Sequence, residues 1–291
     1  MSDRLRTLAT QAEAVPYHAT LGIRVDELAA DRVRVRIPYT DDNSNPGRAL
    51  HGGVYASAID AAGVLAAWGG IDDSTALEPR TLDLSVCYLA AAIGEDIVAE
   101  ARVLRRGKEL AYAAVDVRTD EGRAVATGLV THRMAAAGPA DRELTTAPVE
   151  LAATGDVPKL ARMLVAVPFI ARRGMQITHM RDGQARVDMP WMPDNADGAG
   201  HVHEGAIAAL LDTAGAMSSW SLVGLDFRYK ASTVAVHVSF HAPATGEDVV
   251  AHARTIRRAN ESFSSTVTVS GSASRRTIAT GSVTYRIVVP L

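Results

Sequence analysis

The chain contains one pattern twice, and this duplication constrains its fold more than any other feature. The segment HGGVYASAIDAAGVLAAW begins at His51, and HEGAIAALLDTAGAMSSW begins at His203, 152 positions later. The same offset relates Asp42 to Asp194 and holds without a gap over more than sixty residues. Self-similarity at a fixed offset indicates a duplicated structural unit. A length of 291 residues also suits about two domains.

The boundaries of the two copies follow from the offset. We predict a first domain over residues 1–134, a linker over 135–157 and a second domain over 158–291. The linker is rich in Ala, Pro, Gly and Thr and has no hydrophobic periodicity, which is typical of a connecting segment. Each domain then carries its own copy of the same motifs.

Composition excludes several classes of protein. The net charge of −3 provides no basic field for nucleic acid or an acidic membrane surface, so we expect neither as a partner. The single cysteine, Cys87, rules out an internal disulfide and a cysteine-built metal cluster, and we expect no metal. Residues 1–15 are charged and lack the apolar core of a signal peptide, and the apolar stretch 52–71 contains Asp60. We therefore expect a cytoplasmic protein without a membrane span.

Each copy places one long apolar helix ahead of a series of alternating strands. We predict a helix of about eighteen residues opening at His51 and another opening at His203. The predicted strands after them cover 81–89, 96–104, 111–119 and 124–134 in the first copy, and 233–241, 248–256, 262–270 and 277–288 in the second. This order predicts an α+β fold in which an antiparallel sheet curls around a central helix.

Each apolar helix carries one charged residue, Asp60 in the first copy and Asp212 in the second. A buried carboxylate is costly unless it is paired or hydrogen-bonded. One interpretation is structural, with each carboxylate bound to a neighbouring hydroxyl or facing solvent. The other is that each serves as a general base or nucleophile whose pKa is tuned by partial burial.

The helix starts are the second candidate for chemistry. His51-Gly52-Gly53 and His203-Glu204-Gly205 lie where the first-turn N–H groups have no partner within the helix, which suits an oxygen that gains negative charge. His51 precedes Asp60 by nine residues, about 13 Å along one helix. That separation is too long for both groups to act on one carbonyl. Chemistry therefore requires two adjacent helices, each offering its start to the aspartate of the other.

These residues carry a family resemblance. The run Asn45-x5-His51-Gly52-Gly53-x6-Asp60, followed by TLDLSVCYL, closely resembles the PaaI-like group of hotdog-fold acyl-CoA thioesterases, and the resemblance covers nearly all of both copies. It implies a tandem hotdog fold whose two halves form a pseudo-dimer with active sites at their interface. It further implies hydrolysis of an acyl-CoA to the free acid and coenzyme A. The sequence has no GxGxxG or Walker-type loop, so we expect no cofactor besides the coenzyme A of the substrate.

The resemblance also assigns roles. It implies that Asn45, His51 and the Gly52 N–H hold the loop and polarise the thioester carbonyl, that Asp60 is the base or nucleophile, and that Thr81 helps to place the water. The matching residues of the second copy are His203, Gly205, Asp212 and Thr233. Whether the aspartate activates water or attacks directly stays open.

The two copies differ at two positions near the helix start. Asp197 stands where the first copy has Asn45, and Glu204 stands where it has Gly52. Two added carboxylates would oppose a developing oxyanion. We therefore expect the better site to combine Asn45, His51, Gly52 and Gly53 with Asp212 and Thr233, and the site that contains Glu204 to be weak or inactive.

Further expectations concern substrate, function and assembly. The matching basic turns are candidates for binding coenzyme A phosphates, although such turns are often simply solvated. The basic residues of these turns are Arg105, Arg106, Lys108, Arg257 and Arg258.

Two other functions remain open. One is a non-catalytic acyl-CoA-binding protein. The other, ranked last, is a hydratase, which would need a histidine and an acid that face each other. The acyl group is not identified. We expect a homodimer of the two-domain chain.

Overall fold

The computed structural model describes residues 2–71, 77–136, 152–159, 161–224, 226 and 228–288. Most of the predicted linker lies outside the described residues, so the domain boundaries remain predictions. The first half has helices α1 (Asp3–Ala14), α2 (Pro16–Leu21) and α3 (Gly52–Gly69), and strands β1 (Arg24–Ala29), β2 (Arg32–Ile37), β3 (Leu77–Tyr88), β4 (Ile97–Arg106), β5 (Leu110–Thr119) and β6 (Ala124–Ala136).

The second half repeats this order after a 3₁₀ segment at Ala161–Ala166, which corresponds in position to α1. Its helices are α4 (Pro168–Arg172) and α5 (Glu204–Trp220). Its strands are β7 (Gln176–Arg181), β8 (Gln184–Met189), β9 (Lys230–Phe240), β10 (Val249–Ala259), β11 (Ser262–Gly271) and β12 (Thr277–Val288). The predicted long helices and the four strands after each one are confirmed.

The twelve strands form one continuous antiparallel sheet across both halves. Their order is β1-β2-β4-β5-β6-β3-β9-β12-β11-β10-β8-β7, so the halves join where β3 pairs with β9. Ser85 pairs there with His237, its counterpart in the duplication. A pseudo-twofold axis therefore passes through this seam. The architecture confirms the α+β tandem fold, with each half of the sheet wrapped around one long helix.

The two long helices lie inside the sheet and pack against each other. Nearly every residue of α3 and every residue of α5 after Glu204 is buried, as expected for a helix covered by sheet. The contact depends on small residues. A Cβ on Gly53 would overlap the Cβ of Ala209, and a Cβ on Gly205 would lie 2.8 Å from Ser57 Oγ. These symmetry-related positions bring each helix start against the middle of the other helix.

The short helices α2 and α4 connect each half to the other. The Tyr17 N–H donates to the Ala196 carbonyl at 3.1 Å, and the Phe169 N–H donates to the Ser44 carbonyl at 3.4 Å. The buried Arg173 guanidinium adds a hydrogen bond of 2.8 Å to Thr20 Oγ1. Each short helix thus covers the loop before the long helix of the other half. No helix of the described residues is long and apolar enough to cross a membrane.

Candidate active site

Two symmetry-related sites lie where the start of one long helix meets the middle of the other. The first, called the Asp212 site, contains His51, Gly52, Gly53, Asp212 and Thr233. The second, called the Asp60 site, contains His203, Glu204, Gly205, Asp60 and Thr81. Each site therefore takes residues from both halves, as the spacing of histidine and aspartate in the sequence predicts.

The histidine at each helix start is a neutral N-cap. His51 Nδ1 accepts the Gly53 N–H at 3.0 Å, and His203 Nδ1 accepts the Gly205 N–H at 3.0 Å. Burial lowers the pKa of His51 to about 3 and that of His203 well below its ordinary value. Because Nδ1 is an acceptor in a neutral ring, the proton must reside on Nε2. Each imidazole can therefore donate one hydrogen bond from Nε2.

At the Asp212 site, the carboxylate lies directly against the start of α3. Asp212 is 4% exposed, and Thr233 Oγ1 donates to its Oδ1 at 2.7 Å. Its Oδ2 lies 2.5 Å from the point that a Cβ on Gly52 would occupy, so only glycine permits this approach. Burial raises the pKa of Asp212 to about 6, and the Thr233 hydrogen bond partly opposes that rise. This carboxylate can act as a base near neutral pH.

Aromatic residues that the sequence interpretation missed surround this carboxylate. Tyr88 OH donates to the Gly52 carbonyl at 3.2 Å, and Phe169 stacks on His51 with ring centroids 4.2 Å apart. Tyr285 OH accepts from Trp220 Nε1 at 3.2 Å. Burial and the nearby Asp212 raise the pKa of Tyr88 well above its ordinary value, so its phenol stays protonated. The Phe169–His51 stack joins the two halves, and the other two contacts connect residues far apart within one half. A local sequence pattern gives no signal for any of them.

At the Asp60 site, the carboxylate is held in the same way but faces a second acid. Thr81 Oγ1 donates to Asp60 Oδ1 at 2.6 Å and lies 3.2 Å from His132 Nδ1. One ligand atom each from Asp60, His203 and Glu204 lie within 4.8 Å of one another. Burial raises the pKa of both acids, and the charge of Asp60 adds to the rise at Glu204. Glu204 therefore holds a proton more tightly than an exposed glutamate.

A cavity of about 530 Å³ opens from the Asp60 site along α3 towards α1. Its lining is apolar towards Trp68 and polar around the two acids. Two polar lining residues, His18 and Arg80, were absent from the sequence prediction. Their counterparts in the other copy are Ile170 and Ser232, so a comparison of the copies could have singled out both positions. The two sites are thus related by symmetry but differ in chemistry.

Asp60, His203 and Glu204 are residue types that bind metal ions, but neither ring nitrogen of His203 is free to ligate one. His203 Nδ1 is occupied by the Gly205 N–H, and its Nε2 carries the ring proton. Metal ligation would require an unprotonated ring nitrogen with a free lone pair. To ligate a metal, His203 would therefore have to release the cap of α5, so these residues do not fit a metal ion.

Asn45 lies in the loop before α3, where its backbone N–H donates to the Ala49 carbonyl at 2.7 Å. Its counterpart Asp197 lines the cavity and accepts from His201 Nδ1 at 2.9 Å. The polarising role predicted for Asn45 stays a prediction. Two buried asparagines next to these positions hold the loops instead: Asn43 Nδ2 donates to the Leu21 carbonyl and Asn195 Nδ2 to the Arg173 carbonyl, both at 3.0 Å.

The basic turns lie away from the helix starts. Arg106 pairs with Asp31 beside Gly70, at the far end of α3 and about 28 Å along the helix from His51. The cavity lining includes none of the five predicted basic residues: Arg105, Arg106, Lys108, Arg257 and Arg258. Arg80 is the guanidinium that lines it. Binding of coenzyme A phosphates by the basic turns remains a prediction.

Comparison with known proteins connects this geometry to a family. The model of the thioesterase superfamily matches residues 47–126 and 199–277, one segment in each half. A Halobacterium salinarum protein with the provisional name of esterase is 38% identical over 102 residues, 34% of this chain and 67% of its own. Human acyl-coenzyme A thioesterase 13 is 28% identical over 138 residues, 46% of this chain and 96% of its own.

Solved structures match over nearly all of the chain. A hot dog fold protein of unknown function from Alicyclobacillus acidocaldarius superposes with a TM-score of 0.65 at 15% identity, covering 100% of both chains. An acyl-CoA thioesterase II from Mycobacterium marinum superposes with a TM-score of 0.59 at 10% identity, covering 91% of this chain and 96% of its own. Likeness at this identity establishes the fold alone, which is the tandem hotdog fold. With both halves matching the family model and this fold, the chain belongs to the thioesterase superfamily.

Proposed function

We propose that the protein hydrolyses an acyl-CoA thioester to the free acid and coenzyme A, chiefly at the Asp212 site. The observation that supports this most directly is the position of the Asp212 carboxylate against Gly52, whose N–H is the first of α3. Membership of the thioesterase superfamily and the likeness to human acyl-coenzyme A thioesterase 13 support the same reaction class.

The residues of the Asp212 site suit each step. The thioester carbonyl oxygen binds at the first turn of α3, where the Gly52 N–H and His51 Nε2 can donate to it. Asp212 removes a proton from water, and the hydroxide adds to the carbonyl carbon. The C–S bond then breaks, and coenzyme A leaves as a thiolate that receives the proton. Direct attack by Asp212, through an anhydride that water then hydrolyses, is the variant that gives the same products.

A non-catalytic acyl-CoA-binding protein is the alternative on this fold, since a fold does not determine a function. The buried carboxylates distinguish the two proposals. Burial raises the pKa of Asp212 to about 6, which reflects a cost that a simple binding site has no need to bear. A carboxylate that acts as a base at neutral pH, in contrast, needs a raised pKa, so catalysis accounts for the burial of Asp212.

The test is release of coenzyme A from short, medium, long-chain and aromatic acyl-CoAs by the wild type, Asp212→Asn and Asp60→Asn. We expect Asp212→Asn to lose most of the turnover, about 10²-fold or more at its site, because the amide cannot accept the proton of water. Asp60→Asn, the matched control in the other half, should keep the larger share. Binding of acyl-CoA by the wild type without hydrolysis of any substrate would favour the binding protein instead.

A further inference from the structure

Glu204 is the clearest chemical difference between the two sites. It is the first residue of α5, at the position that Gly52 occupies in the other half. Its carboxyl group accepts a hydrogen bond from its own backbone N–H and faces Asp60 across the polar end of the cavity. The side chain therefore lies between the helix start and the space available to a substrate.

Several charged and titratable groups share the cavity with Glu204. They are Asp60 on α3, Arg80 on β3, Asp197, His201 and His203 on the loop before α5, and His18 on α2. His203 and His18 are both neutral at pH 7, because burial lowers the pKa of His18 to about 4 and that of His203 well below 6.5. Burial, and then the charges of Asp60 and Asp197, raise the pKa of Glu204, and Arg80 partly opposes them.

Two carboxyl groups this close in a partly closed cavity do not both ionise readily, since the second charge faces the first across little water. Asp60 also accepts the hydrogen bond of Thr81 at 2.6 Å, which favours its ionised form. Glu204 has no such hydroxyl donor among its described contacts. The pKa of Glu204 is also raised more than that of Asp60. The closeness of the two acids and the Thr81 hydrogen bond to Asp60 therefore favour a pair that holds one proton at neutral pH, with that proton on Glu204.

We infer that Glu204 is a catalytic residue of the Asp60 site, where its carboxylic O–H donates a hydrogen bond to the thioester carbonyl oxygen while Asp60 serves as the base. This inference rests on the proposed thioester hydrolysis. It reverses the expectation that Glu204 weakens the site by its charge, because a neutral acid donates to an oxyanion instead of repelling it. The side chain moves the donor outward from the helix start into the cavity.

The step balances with the groups present. Asp60 takes a proton from water, and the hydroxide forms the new C–O bond. The carbonyl oxygen gains the negative charge and is held by the O–H of Glu204, which keeps its proton. The oxyanion then re-forms the carbonyl, the C–S bond breaks, and the departing thiolate takes the proton from Asp60. Water and thioester become acid and thiol.

The two sites should consequently differ in their dependence on pH. The Asp60 site requires ionised Asp60 and protonated Glu204, which gives a rate that falls on both sides of neutrality. The Asp212 site requires only an ionised aspartate, so its rate should rise to a plateau. Asp212→Asn isolates the Asp60 site, and Asp60→Asn isolates the Asp212 site, so one chain provides both the test and its matched control.

The experiment measures kcat/KM for acyl-CoA hydrolysis from pH 5 to 10, corrected for spontaneous hydrolysis, in both variants. We expect Asp212→Asn to lose about tenfold per pH unit on the alkaline side, and Asp60→Asn to show no alkaline loss. Adding Glu204→Gln to Asp212→Asn should lower the rate and remove the alkaline fall, because an amide still donates but does not ionise. Adding Glu204→Gly, which copies the other half, should lower the rate further.

Three results would overturn the inference while leaving the proposed function intact, provided that Asp60→Asn is active in each case. The first is a flat alkaline profile for Asp212→Asn. The others are a complete loss of hydrolysis in Asp212→Asn/Glu204→Gln and a faster rate in Asp212→Asn/Glu204→Gly. A complete loss with Gln would mean that the carboxylate of Glu204 acts as a base. Circular dichroism of each variant shows whether a loss of activity comes from misfolding. The Glu204→Gln and Glu204→Gly substitutions test the role of Glu204 independently of each other. Failure of both single variants and the wild type to release coenzyme A would instead refute the proposed function.

Discussion

At the scale of single residues, the two aspartates lie in surroundings that favour their neutral form. Burial is the largest influence on Asp60 and on Asp212, and in each case one threonine hydroxyl supplies a compensating hydrogen bond. A carboxylate that only held the fold together would be expected to have more donors and a lowered pKa. Both residues therefore cost stability at neutral pH, as the proposed role of each as a base would require.

Asp212→Asn should for this reason stabilise the protein at neutral pH. The pKa of Asp212 is about 6 in the folded chain against an ordinary value of 3.8, so the folded state binds the proton more tightly and stability falls as pH rises from about 4 to 6. Asparagine keeps an acceptor for Thr233 and removes that loss. We expect a gain of up to about 3 kcal/mol at pH 7 and little gain at pH 4.

Denaturant unfolding at the two pH values measures this gain directly. Thr233→Val is a useful companion, because it removes the hydroxyl that favours the ionised Asp212 and should lower stability more at pH 7 than at pH 4. Equal effects of Asp212→Asn at both pH values would mean that the carboxylate is not destabilised by burial.

At the scale of elements, the crossing of α3 and α5 determines both sites together. Each helix start reaches the aspartate of the other helix only because Gly53 faces Ala209 and Gly205 faces Ser57 without intervening side chains. The short helices α2 and α4 then place an aromatic ring on each capping histidine, Tyr17 on His203 and Phe169 on His51. The packing of four helices thus sets the distance between each helix start and the aspartate of the other half.

Gly53→Ala should separate these helices. The added methyl group would overlap Ala209 and lie 3.0 Å from Phe169 Cζ, so we expect a loss of about 1–3 kcal/mol in unfolding free energy. Turnover at the Asp212 site should also fall, since Gly53 N–H is fixed to His51. Chemical denaturation and coenzyme A release measure the two effects. Gly198→Ala, where the new methyl group meets no atom within 4 Å, is the control, and an equal loss there would contradict the packing argument.

At the scale of the whole molecule, the halves share a sheet and an interior. Backbone hydrogen bonds between β3 and β9 make the twelve strands continuous, and Ser85 Oγ lies 2.7 Å from His237 Nδ1 across the seam. One hydrophobic core cluster includes residues of both long helices. The two copies therefore form a single structural unit although they arose as repeats.

We expect both halves to unfold in one transition, because neither can separate without exposing the α3–α5 contact. Trp68 on α3 and Trp220 on α5 give each half its own fluorescent reporter. A variant with Trp191→Phe and Trp220→Phe reports the first half, and one with Trp68→Phe and Trp191→Phe reports the second. Coincident midpoints in denaturant are the expected result, and two separated midpoints would show independent halves.

The homodimer of the chain remains a prediction. The outer surface of the sheet carries exposed apolar side chains, with Leu129 on β6 55% exposed and Ile256 on β10 64% exposed, and such residues favour association when they lie in a common patch. Light scattering after size-exclusion chromatography should give twice the chain mass. A monomer at all concentrations would contradict this prediction.

The sequence by itself determined the duplication, the two long helices, the strands after them and the crossed arrangement of the sites. These follow from local signals, because hydrophobic period and turn residues specify each element, and the nine residues between His51 and Asp60 cannot close on one carbonyl. The pairing of each helix start with the other aspartate was thus predictable before any coordinates.

Only the tertiary structure decided how the substitutions between the copies change the chemistry of the two sites. The turn between β11 and β12 is one residue longer than the turn between β5 and β6 of the first copy. Tyr285 therefore pairs with Thr233, whereas the constant offset would have placed Thr284 there. The equivalent pair in the first copy is His132 and Thr81. The proximity of Glu204 to Asp60 and the cavity beside them depend likewise on how helices from separate halves pack. Contacts between residues far apart in the chain follow from side-chain shape and burial in the assembled core, and so does the protonation state that those contacts impose.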